Sequence, residues 1–219
     1  MWTSGLPADL YQRPYDFQDH MTASATFTPH QAKYFAHFLT REGLDEGEGL
    51  TQSLSSARVD LNPHQVDAAM FALRSPLSKG VLLADEVGLG KTIEAALVLS
   101  QRWWERQRHL LLIVPASLRK QWAQELHEKF SLPSVILDAK RVKDLAKAGK
   151  PNPLGAAEGV VILSYEYASR IADQLRSVPW SLVVFDEAHK LRNVYRAAEN
   201  SRSAILRDAL AGRQKLLLT

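Results

Sequence analysis

Six short apolar runs, at 81–84, 109–114, 135–137, 160–163, 182–185 and 215–219, constrain this chain more than any other feature. They are dominated by consecutive Val, Ile and Leu with no polar alternation, the pattern of strands buried on both faces. Segments with helical spacing separate them, at 62–73, 91–107, 118–130, 141–148, 166–176 and 195–210. Strand and helix in strict alternation predict an α/β fold in which a parallel sheet is covered by helices on both faces. Sheets of this kind bind ligands beyond the carboxyl ends of their strands.

The stretch before residue 58 lacks this regularity. Residues 1–26 show no periodicity and read as an arm. Residues 28–41 read as an amphipathic helix carrying Ala32, Phe35, Phe38 and Leu39 on one face, with Thr28 as cap, Pro29 in its first turn and Gln31 closing a capping box. The acidic, then Ser-rich stretch 42–56 reads as a linker or frayed helix. The expected organisation is a partly helical accessory segment over 1–57 and an α/β domain over 58–219.

Two strand ends carry chemistry. After the strand at 81–84 comes Asp85-Glu86-Val87-Gly88-Leu89-Gly90-Lys91-Thr92, which leads into a helix. Gly88 and Gly90 let the backbone approach a phosphate with its amides turned inward. The helix start adds unpaired N–H groups and the positive end of a dipole. Lys91 is placed to reach β- and γ-phosphates, and Thr92 offers a hydroxyl to Mg²⁺, which takes oxygen ligands. The general phosphate-loop pattern has Gly where this chain has Asp85. A Gly-x-Gly-Lys-Thr turn is also compatible with a plain helix start, and the flanking strand and helix favour the phosphate reading.

The strand at 182–185 ends in Asp186-Glu187-Ala188-His189, 95 residues after Lys91. Asp186 is placed to hold Mg²⁺, Glu187 to orient or deprotonate an attacking water, and His189 to contact the γ-phosphate side or a neighbouring lobe. The alternative is a strand that ends in a helix cap formed by Asp186. Ser117, with Arg119 and Lys120, lies at a helix N-terminus just past a strand, where amides and a hydroxyl bind phosphate without reading sequence. Ser164 and Tyr165 hold the matching place after a later strand. Helix capping by Ser117 and solvation of Arg119 are the competing explanation.

Charge is unevenly spread. Residues 1–60 carry 8 acids and 4 bases, whereas 61–219 carry 16 acids and 23 bases. A basic domain attracts polyanions, although the cluster Arg141, Lys143, Lys147 and Lys150 reads more simply as a solvated helix face. Trp103, Trp104, Trp122 and Trp180 read as packing residues. The chain has no cysteine, which excludes disulfides and thiolate metal sites. It has neither an apolar run of membrane-spanning length nor a leader-like start, so a cytoplasmic protein without a membrane partner is expected.

The motif residues resemble a known family. Leu83-Ala84-Asp85-Glu86-Val87-Gly88-Leu89-Gly90-Lys91-Thr92-Ile93-Glu94-Ala95 is similar to motif I of the Swi/Snf-type ATPases of helicase superfamily two, where Asp in place of the first Gly is usual. The run 185–193 resembles their DEAH-box motif II, 114–122 resembles motif Ia, and 162–166 resembles motif Ib. The likeness spans about 58–219 and is strongest to the bacterial RapA/HepA-like branch. It implies a RecA-like P-loop lobe, ATP and Mg²⁺ as ligands, and movement along double-stranded DNA. It also implies a nucleotide-binding set of Gln65 and Asp85 through Ile93, with Gln65 reading adenine. Asn62-Pro63-His64-Gln65 is echoed by Thr28-Pro29-His30-Gln31, and both fit capping boxes; only the position of Gln65, 26 residues before Lys91, favours it as the adenine reader.

The last residues, Lys215-Leu216-Leu217-Leu218-Thr219, resemble the opening of motif III. Motifs IV to VI and their arginine fingers, worth about 10³–10⁵ in turnover, do not appear. A fragment, truncated product or split subunit is therefore expected, one that binds ATP, hydrolyses it slowly alone and needs a second RecA-like lobe in cis or trans. A non-catalytic nucleotide- or nucleic-acid-binding module and an RNA helicase lobe are the competing functional readings.

Overall fold

The computed structural model describes residues 50–74, 80–84, 90–149, 153–192 and 201–219. The arm, the helix expected at 28–41, loop residues Asp85, Glu86, Val87, Gly88 and Leu89, Lys150, and the first part of the helix expected at 195–210 lie outside those residues. The chain divides into two compact units, Met1–Glu48 and Gly49–Thr219, and the described residues belong to the second.

Six strands form one parallel sheet: β1 (Gly80–Leu83), β2 (Leu110–Val114), β3 (Ser134–Ile136), β4 (Val160–Ser164), β5 (Leu182–Phe185) and β6 (Lys215–Leu218). Their order is β1-β6-β5-β2-β4-β3, with every pairing parallel. The helices are α1 (Thr51–Ser56), α2 (Pro63–Arg74), α3 (Lys91–Trp104), α4 (Arg119–Phe130), α5 (Ala139–Lys147), α6 (Tyr165–Arg170), α7 (Ala172–Ser177) and α8 (Arg202–Ala209). Among the described residues no helix is long and apolar enough to cross a membrane.

Continuous burial explains the continuous apolar runs. All five residues of β2 and all five of β4 are buried. Alternate side chains serve opposite faces. Leu111, Ile113, Val161, Leu163, Val183 and Phe185 pack with residues of α6, α7 and α8. The side chains between them turn to the other face, where α4 lies against β3 and β4 and α3 against β6.

The structure refines the sequence expectation at three places. The stretch expected as a linker or frayed helix contains α1, and Leu54 and the preceding Leu50 are buried. Its Ser53 hydroxyl lies 3.0 Å from Leu50 O and 3.1 Å from Gln101 Oε1 of α3. Two leucines four apart decide the matter against a Ser-rich composition, and α1 thereby joins the larger unit. The helix expected at 166–176 is two helices, broken at Ile171, and each half buries an apolar residue, Ala168 and Leu175. The helix expected from 118 starts at Arg119, after a 3₁₀ turn over Ala116–Leu118.

Gly159 makes the β3–β4 pairing possible. Its φ is +145°, and a Cβ there would sit 2.5 Å from the carbonyl oxygen of Pro133, which accepts the first bond of the pair from Val160 N–H. Gly159→Ala is expected to destabilise the fold by about 2–4 kcal/mol, from backbone strain plus overpacking. Urea denaturation measures this, and an unchanged midpoint contradicts the assigned role.

Candidate functional site

The strand order brings two chemical ends together. Only β6 separates β1, which leads toward α3, from β5, which ends at Asp186. Beyond the carboxyl edge of this part of the sheet lie the start of α3 and the Asp186-Glu187 pair.

α3 begins at Gly90, whose φ of +94° suits glycine. Gly90 O accepts from Ile93 N and Glu94 N, which closes the first helical turn. Gly90 has no side chain with which to cap the helix. A second constraint acts at the same position. The Gln65 amide nitrogen occupies the space a Cβ on residue 90 would need. Gln65 is buried in α2, and its Oε1 accepts from Asn62 N–H at 3.1 Å. The Gln65 half of the capping-box reading is thus present, while Gln65 N–H donates to the Asn62 main-chain carbonyl at 3.0 Å, and the same side-chain amide lies against the turn that opens α3. Lys91 and Thr92 follow at the helix start, both partly exposed, and Ile93 is buried.

At the end of β5, Asp186 N–H donates to Ile113 O and extends the pairing with β2. The Asp186 carboxylate accepts two bonds. Its Oδ2 takes the indole N–H of Trp122 at 2.8 Å, and its Oδ1 takes the N–H of Glu187 at 2.9 Å. Burial pushes the Asp186 carboxyl above the ordinary carboxylate range. The bonds from Trp122 and Glu187 N–H oppose that rise, the Glu187 charge adds to it, and the Lys91 ammonium draws it back. The Lys91 charge thus reaches the Asp186 carboxylate.

Glu187 adopts a left-handed conformation with φ 55° and ψ 50°, rare for a side chain of this kind. Non-glycine residues held so often sit at functional sites. The turn leaves the Glu187 and His189 side chains both 45% exposed, with His189 Nδ1 3.0 Å from Glu187 Oε2. A carboxylate and an imidazole are thus presented outward beside the half-buried Asp186.

Oxygen donors of Thr92 and Asp186 suit a hard cation such as Mg²⁺. No cluster of three or more His, Cys, Asp or Glu able to hold a metal occurs among the described residues.

The nucleic-acid candidates divide. Ser117 is exposed on the 3₁₀ turn after β2 and does not cap α4, whose cap position is Leu118. Lys120 is exposed beside it, and Arg119 Nε donates to Ala116 O at 3.1 Å. Ser164 is buried and caps α6 by accepting from Tyr167 N–H. Tyr165 is 4% exposed, and its hydroxyl donates to Asp186 O at 2.7 Å. Burial and the nearby Asp186 and Glu187 charges keep that hydroxyl protonated. Ser164 and Tyr165 therefore turn inward, and of the five candidates Ser117, Arg119 and Lys120 remain at the surface. Trp122, read from sequence as packing, is 2% exposed and also supplies the bond to Asp186.

Comparisons with known proteins show what the chain resembles. The chain is 36% identical over 153 residues to the "Uncharacterized ATP-dependent helicase YqhH" of Bacillus subtilis (strain 168), an alignment covering 68% of this chain and 25% of that protein. It is 39% identical over 142 residues to the "RNA polymerase-associated protein RapA" of Pectobacterium atrosepticum, covering 63% of this chain and 14% of that one. The chain thus spans a quarter or less of the length of these curated relatives. The fold matches the "Sulfolobus solfataricus SWI2/SNF2 ATPase core in complex with dsDNA" with a TM-score of 0.58 and 23% identity, over 75% of this chain and 32% of that one. The SNF2-related domain profile matches residues 22–219, and the chain belongs to that family.

Proposed function

We propose that the chain is the ATP-binding lobe of a DNA-dependent ATPase that moves on duplex DNA. What supports this reading is the strand order, which leaves one strand between the strand leading to Gly90–Lys91 and the strand ending at Asp186-Glu187, together with the Lys91 charge acting on Asp186. Phosphate bound at that helix start would meet its amides and the Lys91 ammonium. Gln65, beside the same turn, is the proposed adenine contact. Asp85, Glu86, Val87, Gly88 and Leu89 complete the proposed nucleotide loop.

Thr92 and Asp186 would hold Mg²⁺, which supplies charge neutralisation between the phosphates when bound. Glu187, oriented by His189, is the proposed group that positions or deprotonates the attacking water. The exposure of these two side chains supports a second RecA-like lobe, in the same polypeptide or another, as the partner that closes over them. Ser117, Arg119 and Lys120 lie on the same carboxyl edge and are the proposed phosphodiester contacts. A SNF2-type solved neighbour bound to dsDNA supports duplex DNA as the polymer.

Mg-ATP at 100 times its dissociation constant is expected to stabilise the chain by about 2.7 kcal/mol, read as a raised melting temperature. Lys91→Ala is expected to weaken binding about 10- to 100-fold, the cost of a charge-assisted bond to phosphate. No melting shift in the wild-type chain at saturating Mg-ATP would sink the reading.

Glu187→Gln is expected to keep nucleotide affinity and to reduce hydrolysis by about 10²–10⁴-fold in the two-lobe ATPase. Single-turnover kinetics beside a binding titration checks this, and equal loss of affinity and rate contradicts it.

Acid titration offers a third check. The folded Asp186 value lies above its ordinary 3.8, so ionising it costs the folded state stability at neutral pH, and that cost fades as pH falls through the raised value. Mg²⁺ requires the ionised form. Mg²⁺-dependent nucleotide affinity is therefore expected to fade on acidification from a pH above 3.8, and in Asp186→Asn to be absent throughout. An isothermal titration series between pH 4 and 8, about the range in which a perturbed carboxylate titrates, reads this directly.

A further inference from the structure

We propose that Trp122 and Tyr165 are positioning residues that tie Asp186 to the two helices starting at the nucleic-acid edge. Duplex DNA bound at that edge would thereby reset the grip on the magnesium–nucleotide complex. The inference rests on the nucleotide- and DNA-binding reading above and assigns its coupling to named side chains.

Asp186 is held from two independent directions. Trp122 lies on α4, the helix that follows the exposed turn of Ser117, and its indole N–H meets the Asp186 side chain at 2.8 Å. Tyr165 is the first residue of α6, and its hydroxyl meets the Asp186 main-chain carbonyl at 2.7 Å. β2 and β4 are paired neighbours, so the two helices start side by side at one edge. One bond fixes the carboxylate and the other the backbone from which it projects.

Both tethers are stiff. Trp122 and Tyr165 are almost completely buried, and Tyr165 packs on Phe185, with ring centroids 6.1 Å apart. Closely packed side chains transmit displacement instead of absorbing it. Hydrogen bonds weaken steeply with lost alignment, so a small movement of either helix alters the hold on Asp186. Glu187, next along the chain, donates its N–H to the same carboxylate and would move with it. A group bound on the turn at 116–120 touches neither Asp186 nor nucleotide, yet the chain of contacts reaches both.

The test uses the full chain and a fluorescent ADP analogue, titrated with and without Mg²⁺ and with and without a blunt mixed-sequence DNA duplex. In the wild type, duplex is expected to change Mg²⁺-dependent analogue affinity by about 5-fold or more, and the Mg-analogue complex to change duplex affinity by the same factor. Trp122→Phe and Tyr165→Phe are each expected to bring that factor below about 2-fold, with Mg²⁺-free analogue binding kept. Trp122→Phe is also expected to lower Mg²⁺ affinity by about 10-fold, as loss of a bond orienting a metal ligand does.

Tyr165→Phe removes a single oxygen, so it carries the test if the indole variant fails to fold. Retention of the wild-type factor in a folded Tyr165→Phe variant overturns the proposal. Wild-type binding of both ligands with no mutual effect overturns it as well. A wild type that binds no Mg-analogue at all overturns the functional reading and the relay together; a wild type that binds it with an unperturbed variant series overturns the relay alone.

Discussion

A carboxylate drawn partly out of water at the end of β5 organises everything around it. Burial disfavours the ionised form of Asp186, so the acid remains there because the indole of Trp122 and the amide of Glu187 each give it a hydrogen bond. The Glu187 amide reaches Asp186 Oδ1 in a stretch where Glu187 is left-handed. That same turn carries the Glu187 and His189 side chains outward. The sheet supplies the other half of the arrangement. Because β6 lies between β1 and β5, the helix that starts at Gly90 opens one strand away from the acid. Placing β5 farther from β1 would remove Lys91 from the field of Asp186.

Much of this was legible in the sequence because the cues are local. Uninterrupted Val, Ile and Leu announced strands buried on both faces, and β5 falls on the expected residues 182–185. The Lys91 helix start and the Asp186-Glu187 pair are read from adjacent residues, and Lys91 is among the charges that act on Asp186. The capping role of Gln65 followed from its spacing to Asn62.

What escaped the sequence depends on contacts between distant residues. Trp122 and Asp186 are 64 positions apart, and nothing in the helix around Trp122 announces a polar partner for its indole. Tyr165 stands after a strand end, where a surface role was expected, yet one helical turn decides whether such a ring faces solvent or the sheet. It packs on Phe185 because the α6 cap formed by Ser164 rotates it inward. The Ser-rich run at 51–56 illustrates the converse. Its composition left a linker and a frayed helix both open, and two buried leucines and a bond from Ser53 to Gln101 fasten it to α3 as a helix.

The contact between Gln65 and Gly90 has a consequence for how such a lobe can diverge. The amide that closes one helix fills the room above the turn that opens another. Enlarging residue 90 would evict it, and shortening residue 65 would open a void over the turn. The room for a substitution at either position is therefore set by the shape of the side chain at the other.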